Sequence, residues 1–147
     1  MASLTSYIQK QNHEEHQHIS ARLDDYIKAY SSGNAEAMMK FYHPTNFVYQ
    51  DLSTNNPAIE RQEFEDQYKR TFASMHDFNI KTLSVHGHKD FTAWEWEIIC
   101  RPAIEAETGM KLSKEEATEK RLVGCTLMWW EDDLIVRNHD YVHLKET

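Results

Sequence analysis

Two aspartates stand where a carboxylate could transfer protons: Asp51 ends the strand-like segment 46–52, and Asp140 lies within 134–144. Side chains alternate between the faces of a strand, so Asn138 and Asp140 share one face of the last segment. On an inward face such an acid could protonate a substrate or activate water, because a low-dielectric pocket with few donors keeps it basic. The alternatives are a turn-capping role for Asp51 and, for Asp140, a buried carboxylate paired with a Trp or Tyr donor.

Residues 91–100 alternate aromatic and acidic side chains, which predicts a strand with two different faces. Trp94 and Trp96 share one face, whereas Glu95 and Glu97 share the other. Inward tryptophans would form an aromatic pocket for a flat hydrophobic ligand, and we favour this arrangement. Inward glutamates would instead add a third carboxylate to the two aspartates, a set like that used for epoxide opening.

The histidines are weaker candidates for a functional site. His13, His16 and His18 have metal-binding side chains, but spacings of three and two do not place three ligands on one helix face. Their neighbours are charged, so we interpret them as solvated surface residues and predict neither a metal site nor a cofactor. His43 follows the second predicted helix and is kept as a minor candidate for lining the pocket.

Hydrophobic spacing predicts the elements that position these residues. Apolar side chains recur at intervals of three and four in three predicted helices, 4–30, 35–42 and 60–75. Alternating patterns predict five strands, 46–52, 78–86, 91–100, 121–130 and 134–144, with a polar hairpin loop at 103–118. Three N-terminal helices with most strands after them predict an α+β fold, in which a curved, mostly antiparallel sheet wraps around the helices and encloses a ligand pocket.

Composition narrows the function classes. The chain of 147 residues fits one domain, 1–147, in which we expect 1–17 to be a flexible segment. Its formal charge of −8 disfavours nucleic acid as a partner. The sequence offers no apolar run long enough for a membrane span and no secretory signal, so we predict a cytoplasmic protein without membrane contact. Cys100 and Cys125 are expected to be reduced core residues.

Four stretches of sequence, in order and at characteristic spacing, carry a family resemblance. They are YIKAYSSGN (26–34), FYHP followed by FVYQD (41–51), IERQEF (59–64) and LIVRNHDY (134–141). Together they resemble the SnoaL-like and ketosteroid-isomerase-like branch of the nuclear transport factor 2-like superfamily. The resemblance covers about 18–144 and implies a cone-shaped fold. The chain departs from the pattern at Glu60, where the family usually has a glycine before the arginine.

The resemblance also implies roles for individual residues. Asp51 matches the carboxylate that moves a proton in ketosteroid-isomerase-like enzymes, and Tyr26 matches the phenol that donates to a developing oxyanion. Asp140 matches an acidic residue of related epoxide hydrolases and some polyketide cyclases. The second oxyanion donor of the isomerases falls at Thr126, which cannot act as a protonated acid and so argues against a true steroid isomerase. Packing in the core is the simpler role for Tyr26.

We therefore predict a cofactor-free acid–base enzyme, namely a cyclase, isomerase or dehydratase, that acts on a small hydrophobic polyketide- or terpenoid-like metabolite. The predicted catalytic residues are Asp51, Asp140 and Tyr26. The predicted ligand-binding residues are Tyr49, Trp94, Trp96, Thr126, Asn138 and His43. Two alternatives stay open: a non-catalytic ligand-binding or dimerisation module, and an epoxide hydrolase, which would need inward Glu95 and Glu97 and an activating arginine.

A homodimer is also predicted. The outer face of the sheet carries Ile99, Tyr141 and Trp129, which are too apolar to leave in water. The family resemblance implies that this face pairs with a second copy. The expected partners are therefore a small hydrophobic molecule and a second copy of the chain.

Overall fold

The computed structural model describes residues 3–145, which form three helices and one sheet. The helices are α1 (Leu4–Ser31), α2 (Ala35–Met39) and α3 (Arg61–Ala73). The strands are β1 (Val48–Asp51), β2 (Ile59–Glu60), β3 (Met75–His88), β4 (Phe91–Pro102), β5 (Lys120–Glu131) and β6 (Leu134–Lys145). Their order in the sheet is β2-β1-β6-β5-β4-β3, and only the β1–β6 pair is parallel. The predicted α+β class, with a curved and mostly antiparallel sheet, is confirmed.

Helix α1 begins well before the family-like region. The side chain of Ser3 caps it by accepting a hydrogen bond from the Ser6 amide, at 3.2 Å. The described part of the segment 1–17 is therefore helical from Leu4 onward and mostly exposed, whereas Met1 and Ala2 lie outside the described residues. Within residues 3–145, α1 is too polar to cross a membrane, and the other helices are too short.

Several predicted boundaries were wrong, and tertiary hydrogen bonds explain why. The second helix ends at Met39 rather than residue 42, because Phe41 and His43 bond through their backbones to Ile135 of β6. The third helix ends at Ala73, because Met75 already pairs with Pro102 in the sheet. Strand β2 was not predicted, since two residues are too short to display a period.

The core lies between the helices and the concave face of the sheet. Trp94 and Trp96 are buried there, which agrees with the favoured orientation of β4. Glu95 is exposed and accepts a hydrogen bond from Ser84 at 2.6 Å on the opposite face. The prediction for the cysteines was half wrong: Cys100 is buried, but Cys125 is only half-buried, because the alternation of β5 turns its neighbour Thr126 inward.

Gly124 is the position on β5 over which the Trp96 ring packs. A Cβ there would lie 2.6 Å from Cζ2 of Trp96 and 2.5 Å from the carbonyl oxygen of Tyr141. We therefore expect Gly124→Ala to lower the free energy of unfolding by about 1–3 kcal/mol, as overpacked cores do. Urea unfolding measures the loss, and near-ultraviolet circular dichroism should show a displaced tryptophan. Wild-type values for both would contradict this packing.

Candidate functional site

An inner cavity of about 160 Å³ lies between α1, α3 and the concave face of the sheet. Seven aromatic side chains line it: Tyr26, Tyr30, Tyr49, Phe64, Tyr68, Trp94 and Trp96. Thr126 and Asp140 add polar atoms to the wall, from β5 and β6 respectively. Such a cavity is suited to a flat apolar group that meets one carboxylate.

Asp140 is held by side-chain donors on both carboxylate oxygens. Thr126 Oγ1 donates to its Oδ1 at 2.6 Å, and the Tyr49 hydroxyl donates to its Oδ2 at 2.8 Å. Trp96 Nε1 in turn donates to Thr126 Oγ1 at 2.8 Å, which fixes the direction in which that hydroxyl points. Asn138 contributes a longer contact to Oδ1 of Asp140, at 3.4 Å. The carboxylate is thus fixed in position within the cavity wall.

The electrostatic balance makes Asp140 a stronger base than an ordinary aspartate. Burial raises the pKa of Asp140, and the negative charge of Asp51 raises it further. The hydrogen bonds from Thr126 and Tyr49 act in the opposite direction, but they do not cancel the effect of burial. Burial and the charge of Asp140 also raise the pKa of Tyr49 well above its usual value, so its hydroxyl stays a donor.

Three tyrosine hydroxyls meet beside the cavity. The Tyr26 oxygen lies 2.7 Å from that of Tyr42 and 3.0 Å from that of Tyr68, and the latter two lie 2.9 Å apart. Burial raises the pKa of Tyr26 to about 12, although both hydrogen bonds oppose the shift. A phenol can accept two hydrogen bonds while donating one, so the Tyr26 hydroxyl can accept from both neighbours and still have its own proton to donate.

Sequence reasoning missed Tyr42 and Tyr68 as part of the site. Tyr68 did carry a signal, since it repeats at spacing four with Phe64 and Phe72 on one face of α3. That spacing predicts which residues share a helix face, but it does not show which hydroxyls meet across three elements.

Asp51 lies near Asp140 but has different surroundings. The two residues are paired in the register of β1 and β6, so both side chains are on one face of the sheet. Oδ1 of Asp51 accepts hydrogen bonds from the backbone amide and the hydroxyl of Ser53, the first at 2.9 Å. Asp51 therefore caps the turn after β1, as the alternative interpretation expected, and lines a different cavity.

This second cavity, the outer cleft, has a volume of about 530 Å³ and lies between α3, the end of β1 and the segment 56–59. Tyr49 and Gln67 line both it and the inner cavity, so they form the wall between the two. Its charged residues are Asp51, Glu63, Asp66 and Arg70.

Two sequence-based candidates do not reach these cavities. His43 lines neither cavity: its Nδ1 accepts hydrogen bonds from the amides of Thr45 and Asn46 and so caps the turn after α2. Asn138 is buried behind Asp140 rather than in the cavity wall, and its Oδ1 has no partner within residues 3–145.

The remaining candidates lie elsewhere on the molecule. His13 and His16 are exposed on α1, and His18 contacts Asp133 at 3.1 Å. Nowhere in the described chain do three His, Cys, Asp or Glu side chains cluster as metal ligands would. Glu97 pairs with Arg121 at 3.3 Å on the face opposite the inner cavity, so the carboxylate set required for the epoxide hydrolase alternative is not assembled.

Comparison with known proteins places these cavities in a family context. Residues 23–138 match the sequence model of the SnoaL-like domain family. The cyclase aurE of Calcarisporium arbuscula is 26% identical over 125 residues, which are 84% of this chain and 85% of that protein.

Solved structures agree on the fold. AclR, a proposed hydroxylase from Streptomyces galilaeus, superposes with a TM-score of 0.70 at 11% identity, covering 84% of this chain and 87% of that one. A proposed SnoaL-like polyketide cyclase from Shewanella denitrificans gives 0.69 at 13% identity, covering 84% and 89%. At these identities the similarity extends to the fold alone.

Proposed function

This chain belongs to the SnoaL-like domain family, and from that premise we propose that it is an acid–base enzyme that closes a ring in a small hydrophobic polyketide-like molecule. The single observation that supports this most is Asp140, a carboxylate of raised pKa fixed by Thr126 and Tyr49 in an aromatic cavity. The similarity to the cyclase aurE favours ring closure over isomerisation or dehydration. The proposal needs no cofactor, because carbons between carbonyl groups are already acidic.

The proposed reaction is an intramolecular aldol addition. Asp140 removes a proton from a carbon next to a carbonyl group, and the enolate carbon then attacks a second carbonyl carbon of the same molecule. One carbon–carbon bond forms, the second carbonyl becomes an alkoxide, and Asp140 returns the proton to that oxygen. Atoms and charges balance without a co-reactant. Thr126 and Tyr49 hold the carboxylate in place during both transfers.

Tyr26 is proposed as the donor to the enolate oxygen. Tyr26 lines the inner cavity, and its hydroxyl has two tyrosine neighbours that can donate to it. Negative charge that develops on the substrate would strengthen this hydrogen bond in a water-poor cavity.

Asp51 takes a smaller part in this proposal than the sequence predicted. Its carboxylate is engaged by Ser53 and lines the outer cleft, so we assign it an electrostatic effect on Asp140 rather than a proton transfer of its own.

Dimer formation and cytoplasmic location stay predictions. On the sheet face proposed for pairing, Leu83 is 52% exposed and Tyr141 is 44% exposed.

The test is the conversion of linear aryl β-polyketones, followed by mass and ultraviolet absorbance at several pH values. A ring-closed isomer should form, and kcat/KM should fall as the pH drops, because the base form of Asp140 is required. Since the pKa of Asp140 is raised, the fall should begin at a higher pH than for an ordinary aspartate. Probes that bind and are recovered unchanged at every pH would instead favour the non-catalytic binding module.

A further inference from the structure

The inner cavity is too small to hold a whole polyketide-like substrate. Its volume is about 160 Å³, whereas pockets that enclose drug-sized ligands hold roughly 300–1,000 Å³. A molecule whose reacting end meets Asp140 must therefore extend outside the inner cavity, which borders the outer cleft at the wall formed by Tyr49 and Gln67. The outer cleft lies on the other side of that wall and offers about 530 Å³.

Helix α3 determines the chemistry of this cleft. Glu63, Asp66 and Arg70 are spaced by three and four residues, so they project from one helix face, opposite Asp51 on β1. Asp66 is half-buried and accepts one hydrogen bond, from Gln62 at 3.2 Å. Within residues 3–145, the side chains of Glu63 and Arg70 are exposed and make no hydrogen bond or ion pair.

The charges in the cleft discriminate between classes of ligand. Three carboxylates face one guanidinium, so a second carboxylate or a phosphate entering with the ligand meets net repulsion. Hydroxyl groups are bound favourably instead, because the carboxylates accept hydrogen bonds from them and Arg70 donates hydrogen bonds to them.

We propose that the outer cleft is a second substrate subsite, in which Glu63, Asp66 and Arg70 bind an uncharged, hydroxyl-bearing part of the substrate while its apolar reacting end occupies the inner cavity. This inference rests on the proposed function and adds a substrate class to it. The substrate is then a neutral molecule, and free acids and phosphate-bearing thioesters are rejected at the cleft. A preceding reaction must therefore release or mask any carboxyl group before ring closure.

The test uses three probes that share one aromatic group: 2-naphthol, 2-naphthyl glucoside and 2-naphthyl glucuronide. The two glycosides differ only where a hydroxymethyl group is replaced by a carboxylate. By isothermal titration calorimetry we expect the glucoside to bind more tightly than 2-naphthol, and about tenfold more tightly than the glucuronide. The double variant Glu63→Gln, Asp66→Asn should bring the two glycosides to within about threefold of each other, because the net repulsion is removed.

Glu65→Gln is the matched control. Glu65 is on the same helix but lines a separate surface depression near Gly33, so this variant changes the net charge without changing the cleft. It should keep the wild-type preference for the glucoside.

Each other result would overturn the inference in a distinguishable way. Binding of 2-naphthol with equal affinities for the two glycosides would overturn the subsite and leave the proposed function standing. Glu65→Gln removes one negative charge and the double variant removes two. If Glu65→Gln reduced the preference for the glucoside by about half as much in free energy as the double variant does, the preference would come from overall charge, and the subsite would likewise be overturned. If 2-naphthol does not bind, the inner cavity does not bind an aromatic group, and both the proposed function and this inference are overturned.

Discussion

Asp140→Asn is expected to lower kcat by about 10²- to 10⁴-fold, which is the usual contribution of a positioned general base. The asparagine side chain has the same shape and can keep a hydrogen bond from Thr126, but it cannot take a proton. Because the loss concerns the chemical step, KM should change little. Steady-state kinetics on an aryl β-polyketone that the wild type converts would measure both constants.

Stability separates this loss from a folding defect. The folded pKa of Asp140 is raised, so the stability that this group contributes is lost as the pH rises from the ordinary aspartate pKa through the raised value. Asparagine does not ionise, so the Asp140→Asn variant does not lose stability in this way as the pH rises. We therefore expect Asp140→Asn to be at least as stable as the wild type at neutral pH, as measured by urea unfolding.

Asp51→Asn is the control for charge. It removes a neighbouring carboxylate of the same type, so the pKa of Asp140 should fall and the pH profile should move to lower pH. Its kcat at neutral pH should stay within about tenfold of the wild type, since the proposal gives Asp51 no proton transfer.

Two outcomes would contradict the proposal. Comparable losses of kcat in Asp51→Asn and Asp140→Asn would support the acid–base pair of Asp51 and Asp140 that the sequence predicted. An Asp140→Asn variant with wild-type kcat would refute the mechanism.

Tyr26→Phe is expected to lower kcat by about 10²- to 10³-fold, the range seen when one donor to an oxyanion is removed. The ring packing against Phe41 and Trp94 is kept, because only the hydroxyl is lost. The hydroxyls of Tyr42 and Tyr68 remain 2.9 Å apart and can still bond to each other. The stability loss should therefore be no more than about 0.5–1.5 kcal/mol.

Tyr42→Phe distinguishes a donor role from a structural one. Tyr42 belongs to the same cluster of hydroxyls but does not line the inner cavity, so its removal weakens the polarisation of Tyr26 without removing the donor. We expect a loss of kcat well below that of Tyr26→Phe and a similar loss of stability. Equal kinetic losses in the two variants would show that the cluster acts only by supporting the fold.

Local patterns were sufficient for the three helices, for five of the six strands within residues 3–145 and for which side chains share a strand face, but not for every boundary. The period of two along 91–100 grouped Trp94 with Trp96 on one face, and the structure buries both; which face of the strand is concave was left open by the pattern. The order of the helices and strands likewise gave the α+β class, because each pattern requires an apolar face to be covered. These features follow from sequence because they depend on the geometry of a single helix or strand.

Contacts between distant elements were decided only by the tertiary structure. Tyr26, Tyr42 and Tyr68 come from three separate parts of the chain, and no spacing in the sequence brings their hydroxyls within 3.0 Å of one another. The parallel pairing of β1 with β6 sets Asp51 beside Asp140, yet Ser53 donates hydrogen bonds to the Asp51 carboxylate, and Asp51 lines the outer cleft instead of the inner cavity. Which carboxylate meets the aromatic cavity depends on how strands distant in sequence pair, and local periodicity carries no information about that pairing.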